Sequence, residues 1–142
     1  MNLKSDELIE ARLEVLLVDD EPDVVEEMAF GFSRFGFSVN FTTDPLHALE
    51  QMRSRPGPLV LVTDMRMPVM NGEELARTAL AERAQNGILG IIFISGHSHG
   101  NVIRQAFVNE PVVFFRKPFS LEDISAAIRQ VAARAFSDQA GP

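Results

Sequence analysis

The chain has 142 residues and a formal net charge of −7, from 13 basic and 20 acidic residues, a length that fits one domain and leaves little room for two. Apolar residues make up 46% and charged residues 23%, an ordinary globular balance that argues against disorder. With no Cys, no run of Lys or Arg and no apolar run near ~18 residues, the sequence excludes disulfides and thiolate sites, argues against direct DNA or RNA binding, and offers no membrane span.

Residues 1–12 carry three acids and no apolar stretch of the signal-peptide kind, so they read as an N-terminal extension and the protein as cytoplasmic. Val15 to Val18 is a short continuous apolar run, a buried strand. From Asp23 to Phe35 the apolar residues Val24, Val25, Met28, Ala29, Phe32 and Phe35 fall within about 140° of one another on a helical wheel, and Gly36 ends that helix. Phe37, Val39 and Phe41 alternate with polar residues, a second strand. Asp44-Pro45 is an N-cap followed by a first-turn proline, opening a helix through Arg53. After the turn at Pro56-Gly57-Pro58, Leu59 to Val62 is another buried strand. Asn71-Gly72 precedes a helix from Glu73 to Gln85, and Ile88 to Ile94 is a fourth strand. Gly96 to Gly100 is loop, with Asn101 capping a helix through Val108. Pro111 to Phe115 is the fifth strand. Ser120 caps a last helix with Leu121, Ile124, Ala127, Ile128 and Val131 on one face. Residues 13–136 therefore form one domain, and 137–142 a short tail.

Strand and helix alternate five times with short connections. That pattern means an α/β fold, a parallel sheet with helices on both faces and right-handed crossovers. In such a sheet ligands bind beyond the carboxyl ends of the strands. The residues there are Asp19, Asp20 and Glu21 after strand 1, Asp64 after strand 3, Ser95 after strand 4 and Lys117 after strand 5. Three carboxylates in one crevice repel each other unless a cation neutralises them. Oxygen-only donors suit a hard ion such as Mg²⁺. Lys117 adds a compact positive charge and Ser95 a hydroxyl; Lys117 is the sole Lys in a body whose other basic residues are all Arg. These are the parts of a phosphoryl-transfer site, with Asp64 as nucleophile and an acyl phosphate as product.

Val18-Asp19-Asp20, Asp64-Met65-Arg66-Met67-Pro68, Asn71-Gly72, Ser95-Gly96 and Lys117-Pro118-Phe119 occur in that order on this element pattern. In this the sequence resembles the receiver domain of two-component response regulators, over roughly residues 13–136. The resemblance implies a doubly wound, flavodoxin-like fold of five parallel strands in the order 2-1-3-4-5. It implies phosphorylation of Asp64 by a sensor histidine kinase or histidine phosphotransfer protein. It implies Mg²⁺ held by Asp19, Asp20, Asp64 and the backbone carbonyl of Arg66. Ser95 corresponds to the switch hydroxyl and Phe114 to the aromatic switch position, and the Lys117-Pro118 bond is expected to be cis. The domain would be a signalling module rather than an enzyme, with its output contact, or a homodimer, on the face of helix 4, strand 5 and helix 5. The stretch Asn109-Glu110-Pro111 departs from the Gly-Ala pair usual before strand 5, and Phe114 lacks a phenolic hydroxyl.

Three other readings compete. A haloacid-dehalogenase-type phosphohydrolase also uses an Asp nucleophile and Mg²⁺, but needs a second Asp where Arg66 stands. A nucleotide-binding module needs a Gly-rich turn after strand 1, where Asp20-Glu21-Pro22-Asp23 would repel a pyrophosphate. A receiver-like module that is never phosphorylated has no use for the complete set of five site residues. His97 and His99 read as polar loop residues rather than a metal pair, though His97, like Arg66, holds a position that the resemblance links to phosphoryl lifetime. Phe30 breaks the polar face of the first helix, among Glu26, Glu27 and Arg34, where the resemblance places the phosphodonor.

Overall fold

The computed structural model describes residues 13–96 and 100–139; the extension at 1–12, the His97 and His99 assignments and the last three residues lie outside the described residues. The strands are β1 (Glu14–Val18), β2 (Ser38–Thr42), β3 (Leu59–Asp64), β4 (Ile88–Ser95) and β5 (Val112–Arg116). The helices are α1 (Pro22–Arg34), α2 (Pro45–Ser54), α3 (Gly72–Ala81), α4 (Gly100–Ala106) and α5 (Leu121–Gln139), with one helical turn at Arg83–Asn86. All strand pairs are parallel, in the order β2-β1-β3-β4-β5. This is the doubly wound arrangement expected from the alternation.

Successive strand residues point to opposite faces, so β1, β3, β4 and β5 each feed two cores, whereas the edge strand β2 gives Val39 to one of them. Val15, Leu17, Val60, Val62, Ile92 and Ile94 pack under α1 and α5. Leu16, Leu59, Leu61, Ile91 and Phe93 pack under α2, α3 and α4. The central strands β3 and β4 are buried on both sides, which is why they read as unbroken apolar runs.

Several expectations are corrected. Phe35 is exposed and lies past the end of α1, where its N–H closes the helix on the Phe32 carbonyl at 3.0 Å. Gly36, with φ of 95°, then turns the chain away. Phe41 is exposed because β2 is an edge strand with no neighbour on its outer side. The helix expected to reach Gln85 breaks at Glu82 instead. There Asn86 takes over, donating to the Ala79 carbonyl and accepting from Ile88 N–H while buried. Asn101 is not a cap: α4 already includes Gly100 and ends at Ala106, two residues short of Val108. Asn109, with φ of 67°, stops it in a left-handed turn. The last helix runs through Gln139, beyond the boundary drawn at 136, because neither Gly nor Pro occurs between Leu121 and Gly141. The Asp44, Asn71 and Ser120 side chains accept from the backbone N–H groups of Leu46, Glu74 and Asp123, as N-caps do.

Candidate functional site

The parallel register delivers the charged residues to one end of the sheet. Val18 lies opposite Thr63, Asp64 opposite Ile94 and Ser95 opposite Arg116. Asp19 and Asp20 follow β1, Asp64 closes β3, Ser95 closes β4 and Lys117 follows β5. Carboxylate oxygens of Asp19, Asp20 and Asp64 come within 4.8 Å of one another. Asp19 is buried, Asp64 half-buried and Asp20 exposed. Asp19 Oδ1 accepts from Glu21 N–H at 2.9 Å, and Asp64 Oδ1 accepts from Met65 N–H at 2.8 Å. Lys117 N–H donates to the Ser95 carbonyl at 2.8 Å, tying the ends of β4 and β5 together. Ser95 is buried, and the Lys117-Pro118 bond is cis.

The loop after β3 is held against the acceptor strand. Gly72 N–H donates to the Met65 carbonyl at 2.9 Å. A Cβ on Gly72 would lie 2.3 Å from the Asp64 carbonyl oxygen, so only glycine allows this approach. Between them Met70 N–H reaches back to the Pro68 carbonyl at 2.8 Å, a γ-turn around Val69 with φ of 72°. That conformation is strained for a β-branched residue, and the Val69 side chain is 86% exposed. Arg66, in the same loop, is exposed.

Burial raises the pKa of both Asp19 and Asp64, because desolvation disfavours the charged form. Asp64 and Asp20 raise Asp19 further, while the Glu21 N–H and the Lys117 ammonium lower it. For Asp64 the Lys117 ammonium is the strongest opposing influence, followed by the Met65 and Arg66 N–H groups. The crevice therefore holds more negative charge than its one lysine balances. Its donors are all oxygens, at a spacing that a single small cation could bridge, which fits Mg²⁺.

Phe114 is half-buried on β5, flanking a cleft of about 370 Å³ that Ile103, Phe107 and Val112 also line. Phe30 is 66% exposed on α1, with the Arg34 guanidinium 5.9 Å above its ring. Thr63 carries no signal in the sequence, yet it is fully buried and its hydroxyl donates to the Asp64 carbonyl at 2.9 Å. A threonine inside an apolar strand is an ordinary β-branched residue, and nothing in its spacing marks it.

Residues 15–129 match the family model described as the response regulator receiver domain. The response regulator protein TodT of Pseudomonas putida is 34% identical over 116 residues, covering 81% of this chain and 49% of its own. The response regulator MprA of Mycobacterium leprae is 31% identical over 129 residues, 90% of this chain and 54% of its own. The C4-dicarboxylate transport transcriptional regulatory protein DctD of Pseudomonas aeruginosa is 30% identical over 121 residues, and the match takes in 25% of it. This chain thus spans between a quarter and about half of these relatives. The FixJ-N crystal structure superposes with a TM-score of 0.72 at 31% identity, covering 85% of this chain and 94% of that one. A receiver domain from Clostridium thermocellum shares the fold at a TM-score of 0.73 and 23% identity, over 86% of this chain and 95% of its own. Matching model, relatives and fold all centre on the five strands whose ends carry the acidic crevice, and the chain belongs to the response regulator receiver domain family of two-component systems.

Proposed function

We propose that Asp64 accepts a phosphoryl group from a phosphohistidine of a sensor kinase or phosphotransfer protein, in a Mg²⁺-dependent reaction. The observation that carries this reading is the convergence of three carboxylates beside Lys117 at the strand ends. The Asp64 carboxylate is the nucleophile, oriented by the Met65 N–H that donates to its Oδ1. It forms a bond to phosphorus as the phosphorus–nitrogen bond to the histidine breaks, and the departing imidazole nitrogen takes a proton. Asp19, Asp20, Asp64 and the Arg66 backbone carbonyl would hold the ion. When bound, Mg²⁺ supplies positive charge against the carboxylates and the phosphoryl oxygens. Lys117 offers its ammonium to the transferred group, and the Ser95 hydroxyl offers a donor once new acceptor oxygens arrive.

The transferred group acts as a switch. Ser95 and Phe114 lie on neighbouring strands, and a Ser95 side chain drawn toward the phosphoryl oxygens leaves room that the Phe114 ring can enter. The output surface on this reading is α4, β5 and α5, facing a target protein or a second copy of the chain. No helix among the described residues is long and apolar enough to cross a membrane. The net charge of −7 disfavours direct contact with nucleic acid.

Intact mass after incubation with acetyl phosphate tests the reading. The chain should gain one phosphoryl group with Mg²⁺ and none with a chelator, acetate being the leaving group. Asp64→Asn should gain none in either condition. Undiminished labelling of that variant would move the acceptor elsewhere.

A further inference from the structure

We propose that Thr63 is a positioning residue for the Asp64 carboxylate, acting from the opposite face of the sheet. Thr63 follows Leu61 on the α2–α3 side of β3, whereas Asp64 follows Val62 on the α1–α5 side. The two side chains never share a face. They are linked through one peptide unit, the one joining Asp64 to Met65.

That unit is planar, so fixing its carbonyl fixes its N–H. Its carbonyl oxygen accepts from Thr63 Oγ1 at 2.9 Å and is backed by the α-carbon of Gly72. Its N–H lies 2.8 Å from Asp64 Oδ1 and 3.1 Å from the Ile94 carbonyl. The Thr63 hydroxyl thus holds one end of the plane whose other end orients the carboxylate. Without it the carbonyl loses its side-chain donor, and a buried carbonyl without a partner drives the backbone to adjust. The plane then rotates, and the N–H that orients the carboxylate moves with it.

This inference rests on the reading of Asp64 as phosphoacceptor, so its test has one arm that does not involve phosphoryl transfer. Thr63→Ser and Thr63→Ala leave nearly the same space and differ in the hydroxyl; Thr63→Val keeps the shape and removes the hydroxyl. Initial rates of labelling by acetyl phosphate with Mg²⁺ should fall about ten-fold in the Ala and Val variants and stay within about two-fold in Ser, against the roughly hundred-fold that a misplacement of about 1 Å can cost. In the unlabelled protein with chelator, the Met65 amide proton should shift upfield and exchange faster in Thr63→Ala, and stay in place in Thr63→Ser. Equal losses in Ser and Ala, or an unmoved Met65 amide in Ala, would overturn the proposal. If Thr63→Ala or Thr63→Val does not fold, the Met65 amide and the labelling rate are compared between the unsubstituted chain and the other hydroxyl-free variant. Absence of labelling in the unsubstituted chain would overturn the acceptor reading, and the amide pattern alone would then decide for or against Thr63.

Discussion

Asp19→Asn should stabilise the metal-free protein, although it alters a buried residue of the proposed ion site. Asparagine keeps the shape, and its Oδ1 can still accept from Glu21 N–H, the bond that Asp19 makes at 2.9 Å. What disappears is a buried charge facing two others. At 4.8 Å, the outer limit of the oxygen spacing, one pair of like charges costs about 0.9 kcal/mol in water and about 3.5 kcal/mol at an effective dielectric constant near 20. Asp20 is exposed and screened, Asp64 is half-buried, and the lost attraction to Lys117 offsets part of the gain. A net stabilisation of about 1–3 kcal/mol remains, a rise in Tm of about 3–10 °C for a chain of this size.

The assay is scanning calorimetry in chelator, since the chain has neither Trp nor Tyr to report by fluorescence. The pH dependence has a definite sign. The folded-state pKa of Asp19 lies above its ordinary value of 3.8. The neutral form is therefore the one that folding favours, and its contribution is complete below the ordinary value. It is lost as pH rises through the raised value. The advantage of Asp19→Asn should accordingly grow as pH rises through the raised value and vanish below the ordinary one. Saturating Mg²⁺ should cancel or reverse that advantage, because ligand at about 100 times its Kd stabilises the parent by about 2.7 kcal/mol. A variant less stable than the parent in chelator at pH 7 would refute the argument from repulsion.

Gly72→Ala should destabilise by about 1–3 kcal/mol, the usual cost of overpacking, and slow labelling by acetyl phosphate, because its Cβ would sit 2.3 Å from the Asp64 carbonyl. Arg129→Ala should lower stability by about 1–2 kcal/mol in denaturant titration; it removes a guanidinium 4.7 Å over the Phe37 ring and a donor to the Phe35 carbonyl. Val69→Gly should raise stability by about 0.5–1 kcal/mol, since relief at a φ of 72° outweighs the entropy that glycine adds to the unfolded chain.

The strands were legible because a parallel sheet covered on both faces needs continuous apolar runs, and Leu59–Val62 and Ile88–Ile94 have no other use. The site was legible because strand ends are where a chain can afford Asp, Ser and Lys together. Other features depended on pairings that no local pattern records. Phe41 alternates as a half-buried strand residue does, yet it is exposed on the edge strand β2. The end of α3 depended on Asn86 satisfying Ala79 and Ile88 at once. Thr63 was invisible because its partner is a backbone carbonyl, which every residue carries.

The distribution of packing also says which element is free to answer the site. Buried like charges and a strained γ-turn both work against folding, and the two apolar clusters carry them. Those clusters hold the helices unequally. Helix α5 buries Ile124, Ala127, Ile128, Val131 and Ala132 against the sheet, whereas α4 buries Ile103, with Phe107 just beyond its end. Val102 and Val108, on and beside α4, face solvent. Displacing α5 would expose several fully buried side chains, at roughly 1.5–3 kcal/mol each. Displacing α4 would expose far less apolar surface, and α4 borders the cleft beside Phe114. A rearrangement worth a few kcal/mol is within reach of a new charge at Asp64 only where the opposing packing is equally small. On that ground a switch set at Asp64 should move α4 against β5 and leave α5 seated.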